Sequence, residues 1–130
     1  MKFYKCAMCG NIIAYAEHPG CDVMCCGKPM EEIVPGTTDA AVEKHVPVVS
    51  KDGDTVKVSV GSVFHPMLEE HYIKWVALET VSGVQFKTLK PGTDPVVSFS
   101  LLPGEEVVSC VAYCNLHGLW ADKYPFKHGN

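Results

Sequence analysis

The stretch Thr55-Val56-Lys57-Val58-Ser59-Val60 decides the fold, because its valines alternate with polar residues. In an extended chain that spacing puts every valine on one face and the polar side chains on the other. Val97-Ser98-Phe99-Ser100-Leu101 repeats the pattern. Both read as strands with one buried face. Turn chemistry falls between such runs at strand-length intervals: Lys51-Asp52-Gly53-Asp54 is a hairpin signal, and Ser82-Gly83, Pro91-Gly92 and Pro103-Gly104 punctuate the rest. No run supports a helix of more than a turn or two. The larger part of the chain is therefore expected to be mainly β, an immunoglobulin-like antiparallel β-sandwich of about seven strands.

The first 37 residues are different in kind. Gly10, Pro19, Gly20, Gly27, Pro29, Pro35 and Gly36 interrupt short apolar stretches, so this segment cannot bury much core. A piece of that size ordinarily needs a metal or disulfides to fold. Gly36-Thr37-Thr38-Asp39-Ala40 reads as a linker, and two domains are expected, 1–37 and 38–130. A chain of 130 residues has room for one ordinary domain and a small appendage. A hydrophobic content of 47%, a charged content of 20% and a formal charge of −4 describe a globular protein and give no reason to expect nucleic acid as a partner. Met1-Lys2-Phe3-Tyr4-Lys5-Cys6 holds no apolar run of signal-peptide length, and no stretch anywhere reaches membrane-spanning length. A soluble, cytoplasmic protein without a membrane partner is expected. In a reducing compartment its seven cysteines read as ligands and free thiols, and their odd number already excludes complete pairing.

Four of those cysteines lie within the first 26 residues. Cys6-Ala7-Met8-Cys9-Gly10 is a metal knuckle: a two-residue spacer lets both sulfurs face one ion, and the glycine permits the tight turn that follows. The second pair, Cys25-Cys26, is adjacent. Neighbouring side chains diverge in an extended chain, so a bent backbone must bring these two together. A vicinal disulfide is the weaker reading, since adjacent Cα atoms lie about 3.8 Å apart and disulfides prefer roughly 4.4 to 6.8 Å. The four thiolates suit iron or zinc. Cys21, four residues before Cys25, is an alternative ligand by spacing and reads better as a free loop thiol.

A second donor set gathers around Cys114-Asn115-Leu116-His117-Gly118. His45, His65 and His71 join it, and four imidazoles with one thiolate exceed the four ligands of structural zinc. A larger, redox-capable ion is indicated, iron first. The alternative is that each histidine is an ordinary surface or hydrogen-bonded core residue. Position argues against it: His45 begins a strand pattern, His65 in His65-Pro66-Met67 ends one, His71 follows in a short loop, and Cys114 and His117 come just after the Val107 to Tyr113 strand. Strand ends and loops at one edge of a sandwich are where sites are built. His18 reads as a loop residue, His128 as a frayed tail and Cys110, mid-strand, as a small buried hydrophobe. Glu43 and Lys44, just before His45, read by themselves as an exposed charge pair of little energetic weight. Two metals in so short a chain imply electron transfer. Two other classes compete: a blue-copper carrier, against which no methionine follows His117, and a redox-inert interaction module built on a zinc ribbon.

Taken in order, Cys6-x2-Cys9, Cys25-Cys26, Glu43-Lys44-His45, His65-Pro66-Met67, His71 and Cys114-Asn115-Leu116-His117-Gly118 resemble desulfoferrodoxin, the two-iron type of superoxide reductase, over nearly the whole chain. The resemblance implies a desulforedoxin-like domain holding iron with Cys6, Cys9, Cys25 and Cys26 for electron entry. It also implies a catalytic iron held by His45, His65, His71 and His117 in a plane, with Cys114 on one axis and the other axis open. With neutral imidazoles a ferrous ion and one thiolate carry a net positive charge that attracts superoxide, and the thiolate pushes electron density toward the open side. One electron and two protons convert superoxide to hydrogen peroxide without releasing oxygen, which protects against oxidative stress. On this resemblance Lys44 draws superoxide in, and Glu43 occupies the open position once the iron is ferric. In an extended chain the two side chains point oppositely, so both can serve one site only if the segment moves. The resemblance further suggests a homodimer and a small electron donor such as rubredoxin. Cys21 and Cys110 are thiols that the pattern does not require.

Overall fold

The computed structural model describes residues 1–122, so His128 lies outside the described residues. The chain divides into two compact units, Met1–Val34 and a second from Pro35 onward.

In the first unit, β1 (Phe3–Lys5), β2 (Ile12–Ala14) and β5 (Glu31–Ile33) form an antiparallel sheet in the order β2-β1-β5, while β3 (Met24–Cys25) and β4 (Lys28–Pro29) make a minimal hairpin. Strands of two or three residues cannot build a hydrophobic layer. The buried apolar side chains here are Phe3, Cys6 and Met30, far fewer than an unaided domain needs. Aromatic packing adds to them. Tyr15 stacks on His18 with centroids 3.8 Å apart and meets Tyr4 edge-on at 4.9 Å. The Tyr15 hydroxyl accepts from the Val23 amide at 2.8 Å, and His18 Nε2 lies 3.0 Å from Asp22 Oδ1. His18 is a loop residue, as expected, but one that orders the loop leading to Met24.

The second unit opens with α1 (Val42–His45) and continues through β6 (Pro47–Asp52), β7 (Thr55–Val60), β8 (Ile73–Thr80), β9 (Gly83–Thr88), β10 (Val96–Ser100), β11 (Val107–Cys114) and β12 (Gly118–Ala121). The strands lie in two antiparallel sheets, β10-β7-β6 and β12-β11-β8-β9, so the expected sandwich of seven strands is present among the described residues. Val56, Val58, Val60 and Phe99 from one sheet, with Leu101 just past its end, pack with Ile73, Val76, Leu78, Cys110, Ala112 and Cys114 from the other. Each fully buried large side chain of this layer stabilises the fold by about 1.5–3 kcal/mol. The hairpin falls where the sequence places it, with Asp52 opposite Thr55 and Gly53 at φ 61°. Cys110 is fully buried and Cys21 exposed, both free thiols.

Two local expectations are corrected. His45 ends a single helical turn and begins no strand: Val46 turns extended (φ −73°, ψ 122°) and β6 starts at Pro47. Proline has no amide proton and disfavours helix in the residue before it, so the turn must stop there. His65 does not end β7, which stops at Val60; the chain doubles back so that the His65 amide donates to the Val60 carbonyl at 2.8 Å. Glu43 and Lys44 therefore sit on a helical turn, their side chains about 100° apart around its axis.

Candidate metal centres

At the first centre the Cys6–Cys9 knuckle is held by its own backbone. The Gly10 amide donates to the Cys6 carbonyl at 3.0 Å with Gly10 at φ 83°, and the Cys9 amide points at Cys6 Sγ at 3.4 Å. The adjacent pair is brought round by an unusual backbone: Cys26 has φ 52°, a left-handed conformation costly for a residue with a side chain. That bend is what the sequence required of neighbouring ligands. Cys9 Sγ and Cys25 Sγ are 3.5 Å apart, Asn11 Nδ2 lies 3.7 Å from Cys25 Sγ, and one donor atom from each of Cys6, Cys9, Cys25 and Cys26 lies within 4.8 Å of the others. The Cys9 amide holds the Cys6 thiol down to about 6. Hydrogen bonding to Cys6 and Cys9 pushes Cys26 up to about 12, and bonding to Cys9 and Cys6 raises Cys25. A second thiolate forms reluctantly beside a first, and a cation among the sulfurs removes that penalty.

The second centre is built at one end of the sandwich. Cys114 is the last residue of β11; it continues the inward alternation of Cys110 and Ala112 and is fully buried. Around it the imidazoles form a closed ring, with centroid separations of 4.6 Å (His45–His65), 4.7 Å (His65–His71), 5.1 Å (His71–His117) and 5.0 Å (His117–His45). His45 Nε2 is 3.2 Å from both His65 Nε2 and His117 Nδ1, and Cys114 Sγ is 3.8 Å from His117 Nδ1.

The protonation of this ring follows from its outer contacts. A carbonyl only accepts, so His45 Nδ1 donates to Ala41 and His65 Nδ1 to Pro66, both at 2.7 Å. Burial lowers the pKa of His45 and His71 and takes His65 down to about 4, which keeps these three rings neutral. His45 and His65 thus point bare lone pairs at one another with no proton between them. His71 Nε2 is buried without a hydrogen-bond partner. Facing lone pairs and an unpartnered buried ring nitrogen are unfavourable for a protein alone and suited to a cation. Burial raises the Cys114 thiol, opposed by the Leu116 and His117 amides, which are in place to hold a thiolate.

All nine expected ligands are thus brought together in two clusters. Sequence reasoning missed what orients them. The Ala41 and Pro66 carbonyls fix two rings. Trp120 lies 4.9 Å from the His45 ring, its indole donating to the His117 carbonyl at 3.0 Å. Asn115 bridges loops: its Oδ1 accepts from the Tyr72 amide at 2.9 Å, its Nδ2 donates to the Glu70 carbonyl at 3.0 Å, and its own amide reaches the Tyr72 carbonyl at 3.2 Å. An amide side chain beside a ligand cysteine was the available signal. Glu43 and Lys44 are exposed at the rim, and the Lys44 charge acts on both His45 and His71.

Comparison with known proteins agrees with this geometry. The family model for the desulfoferrodoxin N-terminal domain matches residues 1–33, and that for desulfoferrodoxin matches 37–123. A desulfoferrodoxin of Nitratidesulfovibrio vulgaris is 47% identical over 120 residues, spanning 92% of this chain and 93% of that protein. A desulfoferrodoxin homologue of Archaeoglobus fulgidus is 46% identical over 120 residues, spanning 92% and 94%. Among solved structures, the superoxide reductase of Treponema pallidum is similar with a TM-score of 0.79 and 41% identity, over 94% of this chain and 98% of that one. The superoxide reductase (1Fe-SOR) of Giardia intestinalis has a TM-score of 0.54 and 36% identity, over 65% of this chain and 99% of that one. With four imidazoles ringing a buried thiolate, four further thiolates in a separate unit and both family models matched, the chain belongs to the desulfoferrodoxin family.

Proposed function

We infer that this chain is a superoxide reductase: superoxide gains one electron and two protons and leaves as hydrogen peroxide, with no oxygen released. The observation that carries the reading is the ring of His45, His65, His71 and His117 around Cys114, with family membership beside it. The donors fit two iron ions per chain, one on the four cysteines of the first unit and one on the four histidines and Cys114. When bound, iron at the second centre supplies the electron and iron at the first passes electrons on.

The protein's own part is electrostatic and positional. Neutral imidazoles and a single thiolate leave the centre cationic, and burial of His45, His65 and Cys114 keeps that charge poorly screened, so an anion is drawn to it. Lys44 adds a positive charge at the rim in a chain of formal charge −4, which makes it the local attractor for superoxide. Trp120 packs on His45 and shields it from water. Glu43, one position earlier on the same turn, would offer a carboxylate at the same rim, able to compete with a bound product anion for the centre.

The broader setting rests on the same family membership and on composition. Domains of 1–37 and 38–130 are proposed from the glycine and proline interruptions of the first segment and the linker that begins at Gly36. Exposed Cys9 and Cys26, with Met8 beside them, support electron entry at the first centre from a small carrier such as rubredoxin. Seven free cysteines support a cytoplasmic location, and no helix among the described residues is long and apolar enough to cross a membrane. A homodimer and a role against oxidative stress are proposed from the family.

The test is metal content with visible spectra, followed by rapid mixing with superoxide. Two irons per chain and peroxide formed without oxygen are expected. Oxygen evolution, or a second centre loaded with copper or no metal in the protein as isolated, overturns the reading.

A further inference from the structure

The segment carrying Glu43 and Lys44 is tied to a neighbouring turn by its backbone. The Glu43 carbonyl accepts from the Val63 amide at 3.0 Å and from Ser62 Oγ at 3.2 Å. The turn is closed on itself by the Gly61 amide, which reaches the Val63 carbonyl at 3.3 Å. Gly61 packs directly beneath: a Cβ there would stand 2.6 Å from the Glu43 oxygen, 2.9 Å from the Val46 oxygen and 3.1 Å from the Lys44 carbonyl carbon. Such contacts are too short for any side chain, so glycine is what lets the two backbones meet. His45, the next residue, donates from Nδ1 to the Ala41 carbonyl at 2.7 Å, and the Lys44 amide reaches the same oxygen at 3.2 Å.

We propose that the Gly61–Val63 turn is a latch on the Glu43–Lys44 segment, so that Gly61, Ser62 and Val63 are positioning residues for the exchange between lysine and glutamate at the rim of the second centre. The proposal deepens the reductase reading and rests on it for the role of that exchange. Side chains one residue apart on a helical turn diverge by about 100°, so bringing the Glu43 carboxylate to the place Lys44 guards requires the turn to rotate or unwind. Rotation moves the Glu43 carbonyl, and with it both hydrogen bonds to residues 62 and 63. His45 can keep its own bond to Ala41 while the Lys44 amide gives up its share of that carbonyl. The cost of breaking these two bonds adds to that of the turn's own Lys44–Ala41 bond and lengthens the time lysine stays forward before the carboxylate arrives.

The experiment is amide hydrogen exchange on the full metal-loaded chain for wild type, Ser62→Ala and Ser62→Thr, with the visible band of the oxidised second centre followed after mixing with superoxide. Ser62→Ala removes one of the two bonds, and loss of one such bond is expected to speed exchange across residues 42–46 roughly fivefold. The spectral change that disappears in Glu43→Ala should quicken by a similar factor, and Ser62→Thr, which keeps the hydroxyl, should restore both. Unchanged exchange in Ser62→Ala overturns the latch, as does equal acceleration in Ser62→Thr. The exchange readout needs no superoxide. A wild type that consumes none while its exchange still responds to Ser62→Ala would sink the reductase reading and leave the latch standing.

Discussion

Single residues at the second centre divide into ligands and the groups that aim them. Asn115 joins the Cys114–His117 loop to the His71 loop through both ends of its amide, so Asn115→Ala leaves the Tyr72 amide and the Glu70 carbonyl to find other partners. Each costs about 1–3 kcal/mol if left unmet. We expect weakened iron retention at the second centre, with the first still loaded, and metal analysis after dialysis against a chelator checks it. Lys44 acts at longer range. Lys44→Ile should slow superoxide association and flatten its dependence on ionic strength, since both effects arise from the same charge; an unchanged rate at low salt would count against the role given to it. Glu105 lies away from the metals and illustrates a stabilising carboxylate: Thr80 Oγ1 donates at 2.5 Å, Ser82 Oγ at 2.9 Å and the Leu102 amide at 3.0 Å. These donors, Thr80 foremost, hold its carboxyl below the usual glutamate range. A depressed carboxylate contributes fully above its unfolded pKa, and that contribution is lost as pH falls through the folded value. Thermal melts should therefore show Glu105→Gln destabilising at neutral pH, with the gap to wild type narrowing in acid.

At the scale of elements, β7 and β10 behave as their alternation demands, while α1 shows what alternation does not carry. Val56, Val58, Val60 and Phe99 all point into the core, and period two suffices to say so. Phe99→Ala should cost about 3–5 kcal/mol, as large aromatic truncations in closed cores do, measurable as a shift in denaturant midpoint at constant slope. Four residues of helix are below what periodicity can detect. That turn exists because Pro47 ends it, the Ala41 carbonyl gathers the Lys44 amide and the His45 ring, and the turn at residues 61–63 holds the Glu43 carbonyl. Each of those contacts is non-periodic, and the last is long-range. The same holds for His65, whose place is set by a five-residue doubling back onto Val60.

Over the whole molecule the two metal centres fall in separate compact units, and the units depend on metal to different degrees. The first has three buried apolar side chains among its described residues, Phe3, Cys6 and Met30, so Cys9→Ser should release its iron and unfold that unit alone. Cys114→Ser and His65→Ala should abolish superoxide reduction while the N-terminal iron stays bound, because the sandwich core persists without them. Simultaneous loss of both irons in either variant would contradict the independence of the units. Sequence by itself determined the sandwich and the two donor sets, four cysteines near the start and four histidines with Cys114, because these follow from residue type, spacing and period, which are local properties. Only the tertiary structure decided that the four imidazoles close into a ring, that Ala41 and Pro66 set the ring protons, that Asn115 spans two loops and that Glu43 is tied to Ser62 and Val63. Those are contacts between backbone and side-chain groups, several of them distant in the chain, and no periodicity encodes them.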